Sequence, residues 1–262
     1  MSEQTEDYPV LFEKRGHVGI VTMDRPKQLN AVSAELTRGM RKYILQIEAD
    51  PDIRVGVLAS SQTRAFCAGA DLAAIARGEG KLLVTEDGGL GHFVKSRRKK
   101  PWIAAVTGFA MGGGFEMAMA ADMIVLGEGA KLGLPEAQRG LLAGAGGAFR
   151  LPRLLPRAIA IEVLTTGRRI TPQEALHYGL VNRVVPDEQL MEATLELAEQ
   201  VAASAPIAVE EALRMARLAN DYPEEALWGI TLGASARTGG SNDAKEGAKA
   251  FVEKRAPVWT GS

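Results

Sequence analysis

The sequence predicts an α/β fold, and three observations carry that reading. Short apolar runs of strand composition stand at 55–60, 101–106 and 122–126, each bounded by polar or glycine-rich stretches. A stretch with helical apolar spacing precedes the first of them, so strand, helix, strand and helix alternate and require crossover connections. The chain also carries 29 glycines in 262 residues, gathered at 78–91, 108–114, 127–147 and 239–247. That usage indicates many turns and close backbone approaches, not long uninterrupted elements.

Taken in order, 10–15 (VLFEKR) and 17–23 (HVGIVTM) read as a hairpin around Gly16. After the polar loop DRPKQLN, Ser33 is an N-cap with Glu35 in the first turn of a helix ending near Ala49. Leu36, Met40, Tyr43, Ile44 and Ile47 fall on one face of it. VGVLAS (55–60) is a buried strand, and 65–78 runs from loop into helix. Segment 78–91 is expected to be a mobile glycine-rich loop. Strands at 101–106 and 122–126 flank a triple-glycine turn and a short helix. From about 157 the chain turns mostly helical. Thr171-Pro172-Gln173-Glu174 reads as a capping box, with Gly179 beyond the helix end. In 187–203, Leu190, Leu197, Ala198 and Val201 share a face, and further helices are expected at 206–220, 223–235 and 243–255. A soft boundary near 205 divides a core, 1–205, from a helical appendage, 206–262.

Composition excludes several function classes. A net charge of −1 lacks the basic footprint of a general nucleic-acid binder. One cysteine makes neither an internal disulfide nor a cysteine-rich zinc site. The start, MSEQTEDYP, is acidic and polar, unlike a secretory or transit peptide, which points to the cytoplasm. The apolar window 103–127 has spanning length, yet Glu116 near its middle would cost several kcal/mol in lipid, so no membrane span is expected.

Standard catalytic constellations are mostly missing. There is no G-x-S-x-G elbow; His17, His92 and His177 lie far apart with no zinc-type spacing, and no metal site is expected. GEGKLL (78–83) and GAGGAF (144–149) each lack essential positions of nucleotide-binding fingerprints. Two glycine-rich turns stand out: AFCAGADL (65–72) and GFAMGGGFE (108–116), where a strand gives way to a helix. Side by side, they would aim one N–H each at a single carbonyl oxygen, forming an oxyanion hole. The glycines would equally serve tight packing alone. Glu116 and Glu136 follow such turns. Each alone fits a first-turn glutamate complementing its helix; as a pair beside an anion site they suit general acid–base work, with burial raising one carboxyl's pKa.

These motifs resemble the crotonase, or enoyl-CoA hydratase, superfamily. The likeness rests on DRPKQLNA (24–31), AFCAGADL (65–72), AAVTGFAMGGGFEMAMAADMIV (104–125) and KLGLPEAQRGLLAGAGGAFRLPR (131–153). TGRRITPQEALHYGLVNRVV (166–185) and DAKEGAKAFVEKRAPVW (243–259) extend it over nearly the whole chain. The resemblance implies a spiral of β-β-α repeats followed by a helical trimerisation region, with trimers pairing into hexamers. It implies an acyl-CoA thioester as substrate, coenzyme A being part of that substrate and no separate cofactor. Ala68 and Gly113 would supply the oxyanion amides, within a substrate-binding turn that includes Ala70, Asp71 and Leu72. Glu116 would act as base on water and Glu136 would deliver the proton to the α-carbon, giving syn hydration of a 2-enoyl-CoA. Lys27 matches a contact to the adenosine-phosphate end, while Ala73 stands where relatives often carry lysine. Gly144 would shape the wall beside the water, and Phe251 and Lys254 would reach coenzyme A from a neighbouring subunit.

Part of the sequence is also similar to carnitinyl-CoA dehydratases and to polyketide- or sterol-side-chain hydratases, and the residues do not set the direction of the reaction. The run Lys95-Ser96-Arg97-Arg98-Lys99-Lys100 resembles a lysine-rich element with which one superfamily relative binds RNA; the ordinary alternative is a solvated helix end before strand 101–106.

Overall fold

The computed structural model describes residues 8–262, so the acidic start up to residue 7 lies outside the described residues. Strands β1 (Val10–Arg15) and β2 (Val18–Met23) form the expected antiparallel hairpin, turning at Gly16 with φ +54°. Helix α1 (Ala34–Ala49) begins where Ser33 Oγ accepts the Leu36 N–H at 3.3 Å, and buries Leu36, Met40, Ile44 and Ile47. Strands β3 (Val55–Ser60) and β4 (Ala65–Cys67) lead to α2 (Leu72–Ala76). Where a mobile loop was expected at 78–91, the chain makes a 3-10 turn and a short hairpin, β5 (Val84–Thr85) with β6 (Gly89–Leu90). Leu83 and Leu90 are buried and fasten that hairpin to the core.

Next come β7 (Trp102–Val106), β8 (Phe109–Met111), α3 (Gly113–Ala118), β9 (Met123–Gly127) and β10 (Lys131–Gly133). Helices α4 (Gly147–Leu154) and α5 (Arg157–Thr166), strand β11 (Arg169–Ile170), α6 (Pro172–His177), β12 (Arg183–Val185) and α7 (Leu190–Ala202) follow. The apolar window 103–127 is thus β7, β8, α3 and β9, and among the described residues no helix is long and apolar enough to cross a membrane. Thr171 Oγ1 does accept the Glu174 N–H, but the Glu174 carboxylate pairs with Arg168 at 2.7 Å instead of completing a capping box.

A six-stranded sheet runs β1-β2-β3-β7-β9-β12 and a four-stranded sheet runs β11-β10-β8-β4. Successive β-β units place one strand in each: β3 then β4, β7 then β8, β9 then β10. Neighbouring units pair in parallel, which is the expected spiral. The large sheet is apolar on both faces, as a covered parallel sheet must be. Leu58, Ala104, Val106 and Leu126 face the main core, whereas Val57, Ile103, Ala105 and Val125 pack with Leu190 and Ala198 of α7. Strands β10, β11 and β12 are only two or three residues long, too short for an alternating pattern to register.

The basic run at 95–100 is not a helix end: Lys95, Arg97 and Lys99 are exposed, while Arg98 and Lys100 turn into the fold. Arg98 is buried, donates to the carbonyls of Phe93 and Ala120 at 2.5 Å, and stacks 3.9 Å from the Phe93 ring centre. Burial lowers its pKa to about 10. Lys100 Nζ donates to Ile47 O and Asp50 O, closing the end of α1. Beyond residue 205, helices α8 (Pro206–Leu218), α9 (Glu224–Gly239) and α10 (Asn242–Glu253) bury few apolar side chains. Trp228 (65%), Leu232 (74%) and Phe251 (86%) are largely exposed.

Candidate active site

The spiral stacks β4, β8 and β10 in parallel, so the turns leaving their carboxyl ends gather at one edge of the small sheet. After β4 come Ala68–Asp71, after β8 Gly112 and Gly113, and after β10 the 3-10 turn Glu136–Arg139. Two glycines make the close approach possible. A Cβ on Gly69 (φ +95°) would lie 2.9 Å from Met111 O and 3.0 Å from Gly113 N. A Cβ on Gly114 would lie 2.1 Å from Cys67 O. The tight packing is what brings the two turns' amides together.

The amide from the first turn is not the one expected. The Ala68 N–H already donates to Leu29 O at 3.0 Å, so it is not free to meet a ligand. Two residues on, Gly69 O and the Asp71 N–H both pair with Val32, which leaves the Ala70 N–H pointing the other way. Neither Ala70 N–H nor Gly113 N–H has a protein acceptor among the described residues. The Cβ position of Gly113 lies 3.5 Å from Ala70 N, so the two free amides are neighbours. The GAD sequence marked the turn, but only the pairing with Val32 distinguishes Ala70 from Ala68.

Glu116 sits in α3 with its side chain buried, and its Oε1 accepts the Gly147 N–H at 2.8 Å. Burial raises its pKa to about 7, against the Gly147 hydrogen bond and with help from the Glu136 charge. Glu136 is half-buried; burial raises its pKa too, while the Arg139 charge pulls the other way. Its Oε2 is buried without a partner, and a Cβ on Gly112 would lie 2.9 Å from its Oε1. The result is two carboxyls whose pKa values burial raises, beside two amides with no protein acceptor among the described residues.

All four groups line a cavity of about 870 Å³. Ala68, Asp71, Leu72 and Gly144 line it as well, so most of the predicted substrate-binding residues are brought together. Asp71 holds the turn together: its carboxylate caps α2 through Ala73 N and Ala74 N and pairs with Arg25 at 2.7 Å. Burial opposes its charge, but Arg25 and the two amides leave its pKa below the ordinary value. Lys27 is exposed beside the cavity-lining Gln28 and does not itself line the cavity. Phe251 and Lys254 lie at the end of α10, and no residue of α10 reaches the cavity within one chain. Sequence reasoning missed Arg25, Arg139 and Arg150. Arg150 donates to Ala145 O at 3.1 Å and to Val94 O, joining the loop before α4 to the segment that follows the β5–β6 hairpin. No local pattern signals such long-range backbone contacts. Among the described residues there is no cluster of metal-ligating side chains.

The family described as enoyl-CoA hydratase/isomerase matches residues 13–262. A carnitinyl-CoA dehydratase of Salmonella typhi is 43% identical over 253 residues, covering 95% of this chain and 97% of the relative. A carnitinyl-CoA dehydratase of Proteus mirabilis is 42% identical over 255 residues, covering 94% and 96%. Among solved structures, an enoyl-CoA hydratase from Mycobacterium tuberculosis superposes with a TM-score of 0.94 at 40% identity, covering 98% of this chain and 100% of that one. A carnitinyl-CoA hydratase from Mycobacterium avium gives 0.77 at 39% identity, with the same coverage.

Proposed function

Because the chain belongs to the enoyl-CoA hydratase/isomerase family, we propose that it catalyses the reversible syn addition of water to a 2-enoyl-CoA thioester. It is a hydro-lyase, and the finer assignment rests on one observation: two carboxyls raised by burial stand beside two adjacent backbone amides without acceptors.

The amides of Ala70 and Gly113 donate to the thioester oxygen. As water adds to the β-carbon, negative charge moves onto that oxygen as an enolate, and preorganised donors favour that state over the starting ester. Glu116, oriented by Gly147, accepts a proton from the attacking water. Glu136 gives its proton to the α-carbon on the same face. One carboxylate and one carboxyl are needed in each direction, and the reverse sequence is dehydration. Burial supplies the reason a carboxyl keeps a proton near neutral pH.

Coenzyme A completes the substrate, with Lys27 beside its entry and no separate cofactor required. The exposed apolar surface of α9 and α10 supports assembly of 206–262 into a trimer or hexamer, with Phe251 and Lys254 lent to a neighbour's substrate. The core, 1–205, then holds the chemistry. The basic run supports RNA binding less than its charge suggests, because Arg98 and Lys100 are tied into the fold and Lys95, Arg97 and Lys99 alone are exposed. Dehydration of a 3-hydroxyacyl-CoA is the second reading, favoured by the relatives named carnitinyl-CoA dehydratase. A spectrophotometric panel of 2-enoyl-CoA esters of varied length tests the assignment. Rapid loss of the enoyl absorbance with at least one ester is expected, and silence toward all of them refutes it.

A further inference from the structure

The charge on the walls of the cavity bears on which acyl group it takes. Among the described residues three carboxylate side chains line it: Asp71 is paired with Arg25, Glu116 accepts the Gly147 N–H, and Glu116 and Glu136 are the pair assigned above to proton transfer. Phe149 is the only aromatic residue of the lining among the described residues, and the Arg150 guanidinium already lies 5.3 Å from its ring centre. A quaternary ammonium group is held by open aromatic faces or spare carboxylates, and this cavity offers neither.

The cations are placed differently. Arg150 and Lys95 donate to backbone carbonyls, whereas Arg139, an exposed residue of the lining, has no hydrogen-bond or ion-pair partner among the described residues. Glu136 and Arg139 are the first and last residues of one 3-10 turn, in which side chains three apart eclipse, so both project from the same side. Leu141 and Leu142, just beyond, supply apolar lining between that turn and the wall at Gly144. Arg139 is therefore an exposed fork of donors on the same side of the turn as Glu136, the residue proposed to protonate the α-carbon.

We propose that Arg139 selects acyl-CoA esters whose acyl chain ends in a carboxylate, and that the cavity discriminates against a trimethylammonium end. The proposal rests on the acyl-CoA reading above and narrows its substrate class. A guanidinium–carboxylate contact is bidentate and charge-assisted, so its loss carries roughly a 10- to 100-fold change in affinity.

Binding of two unreactive saturated esters, butyryl-CoA and glutaryl-CoA, separates this proposal from the chemistry. Wild type should bind glutaryl-CoA about tenfold or more tightly than butyryl-CoA. Arg139→Met should erase that preference and Arg139→Lys should keep part of it. In turnover, the ratio of kcat/KM for glutaconyl-CoA over crotonyl-CoA should fall by a similar factor in Arg139→Met, and crotonobetainyl-CoA should be the poorest of the three. Taking ratios cancels any effect of Arg139 on Glu136 that all esters share. Equal binding of the two saturated esters, an equal loss for both in Arg139→Met (a contact to coenzyme A itself), or a preference for crotonobetainyl-CoA would each overturn the proposal. Absence of turnover with every ester would instead count against the hydratase reading, and the binding ratio would still decide this one.

Discussion

At the inner end of the cavity, Ala70, Gly113, Glu116 and Glu136 come from three successive turns of the spiral, and each is set by backbone packing within one chain. At the outer end, Lys27 is exposed, Ala73 presents only a methyl group, and Phe251 and Lys254 stand on a helix that does not reach the cavity. The inner end is rigid because main-chain atoms touch where only glycine fits. The outer end is open because the residues expected there are exposed or short, and within one chain α10 does not reach the cavity. Chemistry needs geometry fixed to fractions of an ångström, whereas gripping a large polar cofactor tail does not.

The sharpest way to break this contrast is at the amides. Gly113 occupies the first position of α3, where a helix tolerates proline, so Gly113→Pro removes one donor, although its side chain also requires the Leu90 side chain to shift. The expected loss is roughly 10²- to 10³-fold in kcat, about 2.7–4 kcal/mol, provided circular dichroism and oligomer size match wild type. An active, well-folded Gly113→Pro enzyme would remove the oxyanion role. Next in size is Glu136→Gln, which should lower kcat by about 10² with KM little changed, the pattern of a lost proton donor. A KM effect alone would move Glu136 from chemistry to binding.

Glu116 sharpens the comparison through stability. Its pKa is near 7 in the folded protein against 4.5 for an unburied glutamate, so the folded state holds the proton more tightly. Stability therefore falls as pH rises from the unfolded value through about 7, and the cost is absent where both states are protonated. Glu116→Gln, which stays neutral, should be more stable than wild type by about 1–3 kcal/mol at pH 8 and equal to it at pH 4, read from denaturant midpoints. No difference at pH 8 would mean that the carboxyl is not desolvated. The smallest expected effect is at the outer end: Phe251→Ala should raise KM for coenzyme A esters a few-fold without altering kcat. A large kcat effect would contradict the division between the two ends.

What the sequence made legible follows the same line. The Ser33 cap, the Gly16 hairpin and the apolar runs of β3, β7 and β9 are local signals, and they folded as read. Both glycine turns and both glutamates were legible because their chemistry lies in residue type. Which amide of the first turn is free is not legible locally, because it depends on Val32, a strand-like contact 38 residues before Ala70. The basic run misled for a related reason. Arg98 carries its charge into the core against Phe93 and Ala120, and nothing in its neighbours announces those carbonyl partners. Arg139 and Arg150 escaped notice because a cavity wall assembled from distant segments has no period.

The central claim is that the paired glutamates act on a thioester held by two main-chain amides. Steady-state hydration of crotonyl-CoA by wild type and Glu116→Gln, followed across pH 5 to 9, tests it most directly. For wild type, kcat/KM should fall as pH drops below about 7, where the Glu116 base takes up its proton. Glu116→Gln should be slower by about 10² or more and should lose that acidic limb. Near-wild-type turnover by Glu116→Gln, or an acidic limb that survives the substitution, would contradict the account.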